Sequence, residues 1–464
     1  MSEVNLSAVE IADLSVRIDS EFFKKDDLRR LRDLERMLHA SLKPLTRKID
    51  VGYVGAMTAE YTADNTEPKL LQTRNIDEFI PNDNDLIHIN RSFHDELKKS
   101  RIHTNDILIA RSGSFGNAAI WLDKETVNSS DIIIIEADAE QIEPCYLVAF
   151  LNSKYGRFQL ERYASGAVQE HVNLTILENL KIALLSDGVQ NRISAAVHDA
   201  YNMLMQSRKA YCDAGCALLK ELGFANWRPE DGGVSTKPFS EVSATGRIDA
   251  EYFQPKFDEL MKRLVKCELR DLGGQDGLAD LYKSIDPPSD LYGDEGVPFV
   301  RIADFSKFGV ESPEVRLPED ACKDCRRIRK DTILLTKDGS VGIAYKAEGD
   351  FDAVTSGAIL HLTLKDGVVD PDYLTLVLNS RIVQMQAERD AGGSIIQHWK
   401  PSQVEKVKIP ILPQRVQSSL ADKVRESFRL RNESKRLLDL AKSAVELAVE
   451  KGDDSAIEYI AQMR

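Results

Sequence analysis

RIDSEFF at residues 17–23 and RIDAEYF at residues 247–253 are near copies that open the two halves of this chain. Outward from them, a Gly-Ser-x-Gly element at 113–116 returns at 339–342. A longer run then repeats at a constant spacing of 227 residues, as between His171 and His398. Its members are Tyr146, Leu151, Asn152, Ser153, Glu161, Arg162, Gly166, His171, Glu178, Lys181 and Ile182, matched by Tyr373, Leu378, Asn379, Ser380, Glu388, Arg389, Gly393, His398, Glu405, Lys408 and Ile409. One register held over so many unlike residues indicates a duplicated half.

Each half combines short strands with helices. The apolar runs at 106–110, 131–135 and 331–336 predict strands, and 146–163 and 373–391 predict single amphipathic helices. Apolar residues at steps of three, four and seven predict a helix from Val189 and another from Val416, each about 50 Å long. Such helices usually pair, either as a dimerisation hairpin or as a rigid spacer. The predicted fold class is α+β: two similar mixed α/β domains in tandem, separated and followed by long helices that pair as an antiparallel coiled coil.

The predicted boundaries follow this pattern. The first domain is assigned to 1–187 and the first long helix to 188–224. A Gly-, Pro- and Ser-rich linker occupies 225–246. The second domain is assigned to 247–412, and the C-terminal long helix to 413–464.

Composition narrows the class of protein. The 464 residues are 42% hydrophobic with a net charge of −14, which is unusual for a DNA-binding protein but compatible with a local basic groove. No apolar run is long enough to span a bilayer, and the acidic N-terminal stretch is unlike a secretion signal, so a cytoplasmic location is expected. The pairs Cys322/Cys325 and Cys212/Cys216 lack a second pair at zinc-site spacing, so no metal is expected.

Catalytic motifs do not emerge from the sequence. There is no GxxxxGK[ST] phosphate loop. The stretch DPPS at 286–289 resembles an amino-methyltransferase motif but has Ser in the position of the stacking aromatic residue, and Pro371-Asp372 lacks a following nuclease ExK. His171 and His398 have no partners at triad spacing. The chain is therefore expected to be non-catalytic, with no cofactor of its own.

Two repeated elements carry residues suited to DNA. After a strand, Arg111 precedes Ser112 and Ser114 in one glycine turn, and Lys337 precedes Ser340 in the other. Such turns let the backbone approach a phosphate, although an ordinary β-turn with a solvated cation is the alternative. The loops at 165–171 and 392–398 carry Gln169, His171, Gln397 and His398, which suit base or phosphate contacts; a helix C-cap is the alternative there.

Further basic residues are weaker candidates for the same role. Arg74 and Arg301 follow short strand-like runs at matching places. The others are Arg91, Lys98, Lys99, Arg101 and the run at 326–330, all of which could equally be solvated surface.

Together these motifs resemble the specificity subunit of Type I restriction-modification systems. The resemblance rests on the paired RIDxE(F/Y)F motifs and the strand-(R/K)-x-G-S-x-G turns. It also rests on G-x-x-Q-x-H, met as GAVQEH at 166–171 and in the looser form GSIIQH at 393–398, followed by LENLKIA at 177–183 or VEKVKIP at 404–410. It covers nearly the whole chain. One departure is Ala183, where the second copy and most of the family have proline.

The resemblance implies two target-recognition domains that each read half of a split double-stranded DNA sequence. The long helices would set the half-site spacing and dock two partner methyltransferase subunits, with restriction and translocase subunits joining for cleavage. The apolar helix positions assigned to this docking are Val197, Tyr201, Leu204, Leu218, Val424, Phe428, Leu438 and Val445. S-adenosylmethionine and ATP with Mg²⁺ would be held by the partners. Two alternatives are the recognition component of another phage-defence methylation system and a helical scaffold that binds no DNA.

Overall fold

The computed structural model describes residues 22–82, 85–111, 116–163, 174–229, 232–311, 313–323, 325–365, 367, 369–393 and 397–463. The chain divides into two compact units, Met1–Met205 with Arg431–Arg464, and Gln206–Leu430. We call these unit 1 and unit 2. Among the described segments, no helix has the length and apolar character needed to cross a bilayer.

From the N-terminus to the first long helix, the elements are α1 Lys25–Glu35, β1 His39–Ser41, β2 Thr46–Val51, β3 Tyr61–Thr62, β4 Lys69–Gln72, β5 Ile87–Ile89, α2 Arg91–Glu96, β6 Arg101–Ile102, β7 Ile107–Ala110, β8 Ala118–Ile120, β9 Val127–Ser130, β10 Ile132–Ala137, α3 Pro144–Asn152, α4 Lys154–Tyr163, α5 Leu174–Glu178, β11 Lys181–Ala183 and α6 Asp187–Glu221.

The remaining elements are α7 Phe239–Thr245, α8 Pro255–Leu264, β12 Leu269–Asp271, β13 Ala279–Lys283, β14 Val297–Val300, β15 Phe305–Ser306, β16 Gly309–Val310, β17 Arg316–Leu317, β18 Ile333–Thr336, β19 Ala344–Lys346, β20 Val354–Thr355, β21 Ile359–Leu364, α9 Pro371–Leu378, α10 Arg381–Asp390, α11 Pro401–Val404, β22 Lys408–Pro410, α12 Gln414–Lys451 and α13 Asp453–Met463.

Each unit is built on an antiparallel four-stranded sheet. The strand order is β2-β10-β7-β8 in unit 1 and β13-β21-β18-β19 in unit 2. A second sheet follows in each unit, with order β3-β5-β4-β9-β6 in unit 1 and β17-β14-β20 in unit 2; β4–β9 and β14–β20 pair in parallel. Short two-stranded pairs, β1-β11 and β12-β22, connect the start of each unit to its end.

Strand β7 and the first three residues of β18 are apolar at every position and are buried on both faces of their sheets. In unit 1, Ile107 and Ile109 point into a core shared with the helices. Their neighbours Leu108 and Ala110 point into a second core beneath the other sheet. Successive residues of a strand face opposite sides, so this alternation fills two cores from one strand. In unit 2, Ile333 and Leu335 belong to one core and Leu334 to the other. The predicted strands at 106–110, 131–135 and 331–336 are confirmed.

The single amphipathic helices predicted at 146–163 and 373–391 are wrong, because each is divided by a serine. Ser153 has extended backbone (ψ 164°), and its Oγ accepts a hydrogen bond from the amide of Tyr155 while donating to Phe150 O. Ser380 has the same extended conformation (ψ 156°) and donates to Val377 O. A serine at a helix N-cap satisfies an otherwise unpaired amide. Apolar periodicity alone does not reveal such a break.

The two long helices are paired. In unit 1 Ser434 Oγ donates to the carbonyl of Ala200, 2.7 Å away. In unit 2 Ser427 Oγ donates to the carbonyl of Ser207 at 2.8 Å. The later residue of α6, Ser207, thus pairs with the earlier residue of α12, Ser427. The two helices therefore run antiparallel, as predicted. Each long helix contributes residues to both units.

Two segment details differ from the sequence-based assignment. The C-terminal segment 413–464 holds two helices, since α12 ends before Gly452, whose φ of +88° is the left-handed conformation that favours glycine. The segment assigned as a linker, 225–246, contains the short helix α7.

Candidate nucleic-acid interface

The glycine turn of unit 2 leaves β18 and closes tightly. Gly339 and Gly342 have φ of +67° and +87°, which favours glycine at both positions. The amide of Gly342 donates to the carbonyl of Thr336, and Gln384 Nε2 donates to the carbonyl of Gly342 at 2.7 Å. A Cβ on Gly342 would lie 2.8 Å from that Nε2 atom. Gln384 is thus a support of the turn that the sequence analysis missed.

This turn contacts the loop that carries Gln397 and His398. The amide of Gly339 donates to the carbonyl of Gln397 at 2.9 Å, and the amide of Trp399 donates to the carbonyl of Lys337 at 2.7 Å. Ser340, Gln397 and His398 are all exposed. The two elements that the repeat singled out therefore form one polar surface in unit 2.

Lys337 does not present its charge at this surface. Its side chain is buried, and its ammonium forms an ion pair with the carboxylate of Asp338. The other Asp338 oxygen lies 2.8 Å from Nδ1 of His398, whose side chain is 63% exposed. The expectation of a phosphate-facing cation at 337 is therefore wrong, because the neighbouring carboxylate neutralises it inside the protein. Lys337 and Asp338 instead position His398.

A cavity of about 470 Å³ lies beside the same turn, with Gln397, Gln384 and Val341 in its lining. Arg381 and Lys256 also line it, and Lys256 is paired with Glu388 at 2.7 Å. Because the lining mixes amides and cations, the cavity extends the polar surface of the turn.

In unit 1 the corresponding cation is half-exposed. Arg111 follows β7 and donates through Nη1 to Asp131 at 3.0 Å. Gly116, which closes the turn, has φ of +76°. Four predicted contact residues of this half, Ser112, Ser114, Gln169 and His171, lie outside the described residues.

Arg74 lies within the 3-10 turn Thr73–Asn75 that follows β4. Arg301 instead precedes the corresponding turn Ile302–Asp304 after β14, at the N-cap position that Gln72 holds in unit 1, so the two arginines are not at matching places. Arg74 is exposed and donates to the carbonyl of Asp85 at 3.1 Å. Arg301 is half-buried and donates through Nε to Asp304 at 3.2 Å, and this hydrogen bond raises the pKa of the guanidinium. Both remain candidates, with Arg74 the more accessible.

The other basic residues are largely at the surface. In unit 1, Arg91, Lys98 and Lys99 are exposed, whereas Arg101 is half-buried and paired with Asp95. In unit 2 the guanidinium of Arg326 lies 4.5 Å from the ring centroid of Tyr282, and Arg329 and Lys330 are exposed beside it in sequence. These residues lie in the segments 70–103 and 291–330, where the two halves differ most.

Most of the apolar helix positions proposed for partner docking are buried inside this chain. Val197 and Val445 belong to the core of unit 1, and Leu218, Val424 and Phe428 to the core of unit 2. Tyr201, Leu204 and Leu438 are half-buried against the core of unit 1. The five buried side chains have no surface to offer a partner, so their assignment to docking is wrong. Helix periodicity marks a buried face without saying what buries it.

The repeated polar residues are structural clamps, which the sequence analysis did not recognise. Asn152 Nδ2 donates to the carbonyl of Ala118 at 2.7 Å and its Oδ1 accepts from the amide of the same residue. Asn379 makes the same pair with Ala344. Gln159 with Lys181 and Gln386 with Lys408 form the same reciprocal pair. The hydroxyls of Tyr146 and Tyr373 each donate to one carbonyl, that of Ala183 and that of Pro410. The two units therefore repeat a hydrogen-bond framework as well as a sequence.

The RIDxE(F/Y)F motif is attached to a helix by hydrogen bonds and by stacking of a guanidinium on an aromatic ring. In unit 2 Arg247 pairs with Asp249 and donates to the carbonyl of Asp390 at 3.1 Å. Its guanidinium lies 4.8 Å from the ring centroid of Tyr252. In unit 1 Arg162 donates to the carbonyl of Phe22 and stacks 4.1 Å from its ring. In unit 2 the motif thus links Arg247 to the end of α10, and in unit 1 its residue Phe22 is held by α4, while residues 17–21 lie outside the described residues.

The paired cysteines differ in how exposed they are. Cys212 and Cys216 are exposed, Cys322 is buried and Cys325 is half-buried. In the part of the chain that the structure describes, one group of three side chains brings metal-ligand atoms together, namely Glu143, Cys145 and His198.

Residues 50–210 match the family model of the Type I restriction modification DNA specificity domain. The resemblance to Type I specificity subunits is confirmed. The matched range begins at the end of β2, includes β3 to β11 and ends within α6. The search of curated protein sequences gave no match.

The chain also has distant similarity to several solved structures. The S subunit of a Type I restriction-modification system from M. genitalium is 14% identical, with a TM-score of 0.35 over 91% of this chain and 95% of that chain. The HsdS subunit from Thermoanaerobacter tengcongensis is 15% identical, with a TM-score of 0.29 over 89% and 97%. The type IIG restriction endonuclease BpuSI is 13% identical, with a TM-score of 0.30 over 38% of this chain and 28% of that chain.

Proposed function

We propose that this chain is a non-catalytic DNA-recognition subunit that reads a bipartite target and directs partner adenine methyltransferase subunits to it. The observation that carries the proposal is the repeat of the clamp framework. The specificity-domain match lies in the first half, and Asn379 and Gln386 rebuild in the second half the hydrogen bonds that Asn152 and Gln159 make in the first. Two domains of one kind in a single chain suit a target with two half-sites.

The two half-sites differ in sequence under this proposal. The clamps are shared, whereas segments 70–103 and 291–330 differ in sequence and carry different exposed cations. Sequence is read by side chains at base edges, while phosphate contacts fix position. Ser340, Gln397 and His398 supply polar groups for one half-site, and Arg111 with Arg74 supplies charge for the other.

The partners are methyltransferase subunits that bind S-adenosylmethionine, joined by restriction and translocase subunits that use ATP and Mg²⁺. Because the apolar faces of α6 and α12 are buried, docking in this proposal uses the exposed polar positions of the long helices. Glu426 and Arg429, which pair at 2.8 Å, and Lys209 are examples on the two helices.

The first test is a genome-wide map of N6-methyladenine with this gene intact, deleted and restored. We expect one split motif to lose methylation on deletion and regain it on restoration. An unchanged set of motifs, with the partner subunits shown to be expressed, would contradict the proposal and favour a scaffold that binds no DNA.

A second test separates DNA contact from internal pairing at Arg111. Arg111→Gln removes the guanidinium, whereas Asp131→Asn removes its internal partner and leaves the guanidinium in place. Asp131 has φ of +54°, a conformation that Asn tolerates. We expect the assembled complex to bind its target DNA more weakly after Arg111→Gln and at least as tightly after Asp131→Asn. Equal losses in both variants would assign Arg111 a structural role only.

A further inference from the structure

A cluster of three unlike side chains joins the start of α3 to the long helix α6 in unit 1. Glu143 precedes α3, Cys145 lies in its first turn, and His198 lies on α6. Sγ of Cys145 is 3.6 Å from Nε2 of His198, and one ligand atom from each of the three lies within 4.8 Å of the others. Cys145 is buried, whereas His198 is exposed. An ion can therefore reach the cluster from solvent.

At the equivalent place in unit 2, a cation links the start of the helix to the long helix. At the same spacing of 227 residues, Asp370, Asp372 and Arg425 replace Glu143, Cys145 and His198. The guanidinium of Arg425 bridges both carboxylates, with Nε 2.7 Å from Asp372 Oδ2 and Nη2 paired with Asp370. Lys346 adds a second cation 2.8 Å from Asp372. A permanent positive charge thus ties the helix start to the long helix.

Unit 1 has no such built-in charge among these three groups. Imidazole takes the place of guanidinium, and a thiol takes the place of the second carboxylate. Burial and, secondarily, Glu143 raise the pKa of the Cys145 thiol to about 12 in the metal-free protein. Imidazole, thiolate and carboxylate are together a zinc ligand set. An ion with two positive charges would stand where Arg425 stands in unit 2.

The distances fit that ion. With Zn–S of about 2.3 Å and Zn–N of about 2.0 Å in tetrahedral geometry, sulfur and nitrogen are about 3.5 Å apart. The separation of Cys145 Sγ and His198 Nε2 is 3.6 Å. Glu143 Oε2 already accepts from the amide of Tyr146, and a carboxylate has a second oxygen for a metal.

We propose that Glu143, Cys145 and His198 bind one Zn²⁺ ion that braces the start of α3 against α6, with water as the fourth ligand. On binding, Cys145 loses its thiol proton to solvent and coordinates as thiolate. This site is independent of the recognition role proposed above, because it lies at a framework junction and includes none of the DNA-contact candidates.

The test uses the purified full-length chain, stripped with a chelator, reloaded with Zn²⁺, desalted, and measured for metal and thermal unfolding. We expect about one Zn²⁺ per chain and a higher unfolding temperature with metal. Cys145→Ser and His198→Arg should each lower the affinity at least tenfold. His198→Arg also places in unit 1 the cation found in unit 2, so the metal-free variant should remain folded and gain nothing from Zn²⁺.

The matched control is the double variant Cys212→Ser/Cys216→Ser, which changes two exposed thiols on the same helix. It should bind Zn²⁺ as the unchanged chain does. Cobalt substitution provides the second readout, since a thiolate ligand gives a charge-transfer absorption that Cys145→Ser must abolish. The site would be overturned if the unchanged chain bound no more Zn²⁺ than Cys145→Ser does. It would also be overturned if both Cys145→Ser and His198→Arg still bound Zn²⁺ as the unchanged chain does.

Discussion

At the scale of single residues, the repeated positions divide into clamps and surface groups. Asn152, Tyr146 and Tyr373 are buried, Asn379 is half-buried, and all four side chains are hydrogen-bonded to backbone. A buried polar group that loses its partner costs about 1–3 kcal/mol, so such residues tolerate little change. The side chains of Gln397 and His398 are exposed, so water can satisfy them if a partner is lost. Repetition in sequence therefore has two different physical causes here.

The clamp predicts a measurable cost. Asn379→Ala should lower the free energy of unfolding of unit 2 by about 2–4 kcal/mol, because it leaves the amide and carbonyl of Ala344 without their side-chain partner. Urea unfolding followed by tryptophan fluorescence measures the shift. Asn226→Ala, at an exposed position, is the control and should shift the midpoint little. Similar midpoints for the two variants would show that the clamp is not needed.

A buried histidine predicts an acid-sensitive unit 2. Burial, reinforced by Arg326, lowers the pKa of His361 to about 4, while its Nε2 lies 2.9 Å from Thr355 Oγ1. The unfolded chain takes up this proton near pH 6.5 and the folded chain does so only near pH 4, so stability is complete above pH 6.5 and falls as the pH drops towards 4. The loss attributable to this group is about 3 kcal/mol.

The comparison of His361→Gln with the unchanged chain isolates this effect from the titration of carboxylates. Urea midpoints at pH 7 and pH 5 should show a smaller decrease for the variant. Equal decreases in the two proteins would mean that His361 does not carry the pH dependence.

At the scale of elements, the long helices bury small residues where they are packed in unit 1. Ala441, Ala444 and Ala448 on α12 and Ala196 on α6 are fully buried in one core. Small side chains allow close packing, and a dense core has no room for added volume. The apolar stripe predicted from the sequence is thus packed inside this chain's own core.

Overpacking this stripe should therefore destabilise unit 1. Ala444→Leu adds three carbons to a filled core and should lower the free energy of unfolding by about 1–3 kcal/mol. Thermal unfolding by circular dichroism detects the change. The same substitution at exposed Ala461 on α13 is the control and should leave the unfolding temperature nearly unchanged. An unchanged unfolding temperature for Ala444→Leu would indicate that the packing there is looser than described.

At the scale of the whole molecule, net charge is a poor guide to local charge. The chain carries −14, yet the segment 326–330 holds three arginines and one lysine with Arg326, Arg329 and Lys330 exposed. DNA binding through such a segment depends on the charges near the phosphates and on the release of counterions. Acidic residues elsewhere weaken long-range attraction, and salt screens that effect.

This local charge predicts a salt signature. Arg329→Ala/Lys330→Ala should weaken target binding by the assembled complex and reduce the slope of log affinity against log salt by about two. Fluorescence anisotropy with the mapped target at several salt concentrations measures both quantities. Arg36→Ala/Lys43→Ala removes two other exposed cations, from unit 1, as the control. An unchanged slope in the first variant would exclude phosphate contacts by these two residues.

The sequence alone determined the duplication, the central strands, the long helices and the resemblance to a specificity-domain family. These features depend on local periodicity and on residues that recur at one spacing, which a chain displays without being folded. Recurrence also singled out Gln397 and His398 as candidate contact residues, whereas their place beside the glycine turn came from the fold.

Only the tertiary structure decided which repeated residues are available at the surface. Lys337 is neutralised by Asp338, Val197 and Phe428 are buried by this chain's own helices, and Ser153 divides a helix that periodicity joins. It also brought Glu143 and Cys145 to His198 across more than fifty residues of sequence. Burial and pairing between distant segments depend on how the chain packs, and the pattern along one stretch carries no record of its neighbours in space.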